Sequence, residues 1–61
     1  MEILDLLKQD LADMKRHLHN YEAGEDEVGH GIYRARIAET KIAIKCTEKR
    51  IALIIKTANL K

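Results

Sequence analysis

Apolar residues recur along the first third of the chain in alternating steps of three and four: Leu4, Leu7, Leu11, Met14, Leu18 and Tyr21. On an α-helix such steps keep one narrow face apolar, and the period-two alternation of a strand is absent. The pattern predicts a first helix over about residues 2–22. Glu2 and Asp5 suit its positive start, while Arg16, His17 and His19 lie towards its negative end. Gly24 reads as its stop, because glycine adopts the left-handed conformation that ends helices.

In the second half, Ile37, Ile44, Ile51 and Ala58 recur every seven residues, with Thr40, Thr47 and Ile54 between them. A second helix is predicted to about residue 58, its end crowded by Lys49, Arg50, Lys56 and Lys61. Its start has two readings. Gly29 and Gly31 argue for a loop as far as residue 31, since each costs a helix interior about 1 kcal/mol. The acidic residues Glu25, Asp26 and Glu27, with Val28 in apolar register, argue for a start near Asp26. The early start is preferred, placing the connection at about 23–26.

The fold class expected is therefore all-α, an antiparallel helical hairpin with a longer second helix, forming a single domain over residues 1–61. Charge supports the antiparallel arrangement. Residues 1–30 hold three basic and eight acidic side chains; residues 31–61 hold eight basic and two acidic. The halves thus carry −5 and +6, and the whole chain +1. Surface ion pairs add only about 0–1 kcal/mol each, so charge selects orientation more than it stabilises.

Size matters next. A chain of roughly 60 residues buries only about 60% of the surface its unfolded form exposes, and usually needs a disulfide, a metal or a second subunit. The single Cys46 makes no internal disulfide, and no structural metal set is evident. A first helix of at most about 23 residues spans about 34 Å, so folded back it leaves the apolar segment from Ile51 to Leu60 uncovered. The second helix also carries two apolar stripes about 150–160° apart at 100° per residue. One contains Tyr33, Ile37, Ile44, Ile51, Ile54 and Ile55; the other contains Ala35, Ile42, Cys46, Leu53 and Leu60. One neighbour covers one stripe, so a second neighbour is expected. A homodimer, a four-helix bundle or close variant, follows as the expectation, the alternatives being a loose monomer or a hairpin seated on a different protein. Its interface is expected at Ala35, Ile42, Cys46, Ile51, Leu53, Ile54 and Leu60, the second helices pairing antiparallel with Cys46 and Leu53 near the two-fold axis.

Candidate chemistry is sparse. The chain has no Ser, so a Ser–His–acid triad is excluded, and Cys46 sits in an apolar stripe that suits a buried, inert thiol. Glu27 and His30 have the Glu-x-x-His spacing of di-iron bundles, but such a site also needs inward-facing carboxylates from other helices, and these two fall on the polar side of the projected helix beside two glycines. His17, four residues after Asp13, suits a local ion pair. No cofactor site, metal site or enzymatic activity is expected. The one extended polar feature is the basic row Arg34, Lys41, Lys45, Lys49 and Lys56, which reads either as a solvated face or as a face for nucleic acid or an acidic partner. The near-neutral total and only two aromatics, Tyr21 and Tyr33, weigh against nucleic acid.

In size and plan the chain resembles the Rop family of plasmid RNA-binding proteins, helical hairpins that dimerise into four-helix bundles. In its small size and abrupt charge partition it is also similar to small early-region proteins of lambdoid bacteriophages, of the kind encoded between the exonuclease and excisionase genes of lambda. Both resemblances cover the whole chain by plan and rest on no residue motif, so no functional residue is carried over. The phage resemblance implies a role in host takeover or in the lysis–lysogeny choice. The opening residues Met1 to Asp5 lack the basic start of a signal peptide, and the longest apolar run, Ile51 to Ile55, is far short of a membrane span. A cytoplasmic, non-enzymatic regulator or adaptor is expected, acting through itself and a host or phage protein, without membrane. The alternatives are an RNA- or DNA-binding dimer and a structural subunit of a helical assembly.

Overall fold

A computed structural model describes residues 2–59. Two helices, α1 (Ile3–Val28) and α2 (Arg34–Asn59), form an all-α antiparallel hairpin. The ion pairs Lys15–Glu48 and Glu22–Lys41 span it at 3.8 and 4.0 Å. They are seven residues apart on each helix, so the register holds along the hairpin and sets Ile3 beside the last turn of α2. The molecule measures 50 × 19 × 11 Å over its Cα atoms, one helix thick. Its radius of gyration, 14.6 Å, exceeds the roughly 10.5 Å of a compact chain of this length.

The seam between the helices is the α1 stripe read from the sequence. Leu4, Leu7, Leu11, Met14, Leu18 and Tyr21 are all half-buried. They face Ile37, Thr40, Ala43, Ile44, Thr47, Ile51 and Ile54 of α2, of which Ile44 alone is buried, at 8% exposure. These α2 positions span an arc of about 120°, the width one neighbouring helix covers. Thr40 is tolerated in the seam because its hydroxyl donates to the Arg36 carbonyl oxygen at 2.7 Å.

The helix ends differ from expectation. Helix α1 does not stop near residue 22 but runs through Gly24 and the acidic cluster to Val28, and α2 starts at Arg34 rather than near Asp26. Gly29, His30 and Gly31 take φ of 78°, 61° and 71°. Three successive left-handed residues cannot continue a right-handed helix, so the glycines mark the turn itself. Gly24 serves another purpose. A Cβ there would lie 2.8 Å from Cε2 of Tyr33, so glycine lets that ring close on α1. Tyr33 in turn stacks on Tyr21, ring centroids 5.9 Å apart.

Both helices therefore have 26 residues. The expected longer second helix is corrected, and with it the uncovered overhang, since Ile51 and Ile54 are half-buried. The second stripe remains open: Ile42 and Leu53 are each 64% exposed.

Candidate interaction surface

The connection is held from behind. Glu25, in the last turn of α1, accepts the backbone N–H of Gly31 on Oε2 at 2.9 Å and that of Tyr33 on Oε1 at 2.8 Å. Both donors precede α2 and have no carbonyl partner earlier in that helix. The acidic cluster thus does serve the start of α2, but from the preceding helix. Glu25 lies four residues beyond Tyr21 and prolongs the α1 stripe. That spacing is the signal by which it is readable.

The two long sides of the hairpin differ. On one, Lys15–Glu48 and Glu22–Lys41 cross between the helices. On the other, Met14, His17, Tyr21, Glu39, Thr40 and Ala43 line an open, mostly apolar depression of about 220 Å³. A second shallow hollow, at the open end, is lined by Leu53, Ile54, Thr57 and Ala58.

The expected interface residues divide between two environments. Ala35, Ile42, Cys46 and Leu53 are exposed on the side of α2 away from α1, while Ile51 and Ile54 are half-covered by α1. Leu60 lies outside the described residues. Cys46, expected as a buried thiol, is exposed in the single chain. The basic row divides as well. Lys41 is held by Glu22, whereas Arg34, Lys45, Lys49 and Lys56 enter no ion pair among the described residues.

Other candidates disperse. Glu27 ends up in α1 and His30 in the connection, so their spacing is not one helical turn. Asp13 pairs with Arg16 at 3.2 Å rather than with His17, which stacks on Tyr21 at 6.4 Å between ring centroids. No group of three or more His, Cys, Asp or Glu able to hold a metal occurs among the described residues. No described helix is long and apolar enough to cross a membrane.

Area gives the surface its scale. A compact protein of this mass exposes roughly 4,000 Å²; this chain exposes 5060 Å². The excess is of the order of the ~800 Å² that each partner contributes to a standard interface. No protein-family model matches the sequence, and no match is found among curated proteins or among solved structures.

Proposed function

We propose that the chain is a non-enzymatic helical regulator or adaptor that works as a homodimer and meets its targets through protein–protein contacts. One observation carries this reading: a hairpin one helix thick leaves Ile42 and Leu53 open on the side of α2 that α1 does not reach. Burying such a side chain fully is worth about 1.5–3 kcal/mol, a large share of a stability of order 5 kcal/mol. Following the resemblance to small phage early proteins, the target is a host or phage protein in the host cytoplasm. Sedimentation equilibrium at about 10 μM, a concentration that reads Kd values near 1 μM well, is expected to show twice the 7.0 kDa chain mass. A species of 7.0 kDa alone, there and at ~100 μM, would remove the reading. Growth beyond the dimer with concentration would favour a structural subunit of a larger helical assembly.

A second reading, an RNA- or DNA-binding dimer, is favoured by the side chains of Arg34 and Lys45, which carry no ion pair among the described residues. It requires an electrophoretic shift that weakens steeply between about 50 and 200 mM salt. The shift should vanish in the double variant Arg34→Glu, Lys45→Glu. No shift at low salt would discard it.

A further inference from the structure

On the side of α2 turned from α1, the exposed residues Glu39, Ile42, Cys46, Lys49, Leu53 and Lys56 follow one another in alternating steps of three and four. The spacing is that of a coiled-coil seam whose apolar positions are Ile42, Cys46 and Leu53 and whose other positions, Glu39, Lys49 and Lys56, are charged, and α1 occupies the other side of the helix. We infer that this seam is covered by the same seam of a second copy, running antiparallel about a two-fold axis that crosses α2 between Thr47 and Glu48. The inference rests on the homodimer proposed above and gives it a register.

The seam is self-complementary in that register. Ile42 of each chain lies against Leu53 of the other, Glu39 against Lys56, and Cys46 against Lys49. The two-fold makes each relation occur twice. The two most exposed large apolar residues of α2, each 64% exposed, thereby cover one another. Opposite charges meet at both ends of the seam, and nearly all of α2 overlaps its copy. Moving the axis half a heptad towards the N-terminus leaves Leu53 against the small Ala35 and puts the last turns out of contact. Moving it the same distance towards the C-terminus sets Lys49 on Leu53 and Lys56 on Cys46, and takes Glu39 away from any partner.

The seam lies about 150° around α2 from the centre of the α1 contact at 100° per residue. The four helices therefore form a bent row, α1 and α2 followed by their copies in reverse order, rather than a square bundle. The depression lined by Met14, His17, Tyr21 and Ala43 falls on its concave side.

Charge reversal and cysteine linkage test the register. Glu39→Lys sets a lysine against Lys56 of the copy at both ends of the seam and is expected to raise the dimer dissociation constant about tenfold. Adding Lys56→Glu should restore it to within about threefold of the native value. Both residues are exposed, so circular dichroism should stay helical throughout. In a Cys46→Ala background, Ile42→Cys with Leu53→Cys should oxidise to a covalent dimer. Ile42→Cys in the native background should not link through Cys46. A native chain that stays monomeric at ~100 μM, which only a Kd well above that level allows, overturns the homodimer and the register together, and assigns the seam to a different protein. A native dimer indifferent to Glu39→Lys, or one that links Ile42→Cys to Cys46, overturns the register alone.

Discussion

The carboxylate of Glu25 accepts the amide of Tyr33 at 2.8 Å across the turn, and with its other oxygen the amide of Gly31 at 2.9 Å. One side chain thus fixes where α1 ends and where α2 begins. Glu25→Ala removes two charge-assisted hydrogen bonds from half-buried groups and is expected to lower stability by about 2 kcal/mol. Glu25→Gln, which keeps one acceptor, should cost about half as much. Urea unfolding at a fixed protein concentration measures both. Equal stability of Glu25→Ala and the native chain would mean that water replaces the carboxylate without loss.

The three left-handed residues of the connection give opposite signs on substitution. His30, at φ 61°, bears the strain of a side chain in that region, so His30→Gly should stabilise by up to about 1 kcal/mol. Gly31→Ala, at φ 71° and 3.4 Å from the Arg34 guanidinium, should destabilise by about 1 kcal/mol. Thermal denaturation of the pair reads the difference.

Gly24 tests the close approach of Tyr33. In an exposed helix interior, Gly→Ala gains about 1 kcal/mol from propensity. Here the new methyl would lie 2.8 Å from the ring, so that gain is offset and Gly24→Ala is expected to be neutral or worse. In a Tyr33→Leu background the propensity gain should reappear. A double-mutant cycle by denaturant titration isolates the coupling.

The two sides of α2 should respond to different assays. Ile44→Ala opens the buried point of the seam with α1 and is expected to cost about 2–4 kcal/mol of stability. Leu53→Glu removes no buried contact of the hairpin. It should leave helicity intact at high concentration while abolishing association. Circular dichroism and sedimentation on the same samples separate them.

The bridging ion pairs should matter little for stability. Lys15 and Glu48 keep side-chain exposures of 56% and 49%, and Glu48→Gln should change the unfolding free energy by less than about 1 kcal/mol. A larger loss would show that α1 is held in place by charge rather than by its leucines.

What was legible in the sequence follows from periodicity. The steps from Leu4 to Tyr21 fixed the buried face of α1, and the seven-residue repeat of Ile37, Ile44 and Ile51 fixed that of α2, because a helix translates spacing directly into direction. Gly24 misled because glycine has two uses, ending a helix and admitting a neighbour, and only the position of Tyr33, nine residues away, decides between them. Glu25, Asp26 and Glu27 misled because an acidic group near a helix start can come from before that helix or from within it. Reading α1 six residues too short made α2 look too long. The open stripe through Ile42 and Leu53 was found nonetheless, since it depends on angle and not on length. Lys41 shows the limit of reading one helix alone: its place in the basic row is evident, but its pairing with Glu22 needs the register between helices.

A slab 11 Å deep over its Cα atoms has almost no interior, Ile44 being the one buried side chain among the described residues. Each turn of either helix stays one side chain from water on two flanks, so neither can shield its amides without help from a neighbour. If a second copy supplies that help, abundance becomes a structural variable: dilution would separate the pairs and at the same time raise the rate of amide exchange and of proteolytic attack. Such a chain would vanish faster than its synthesis declines, and a cell would read its dosage as a threshold.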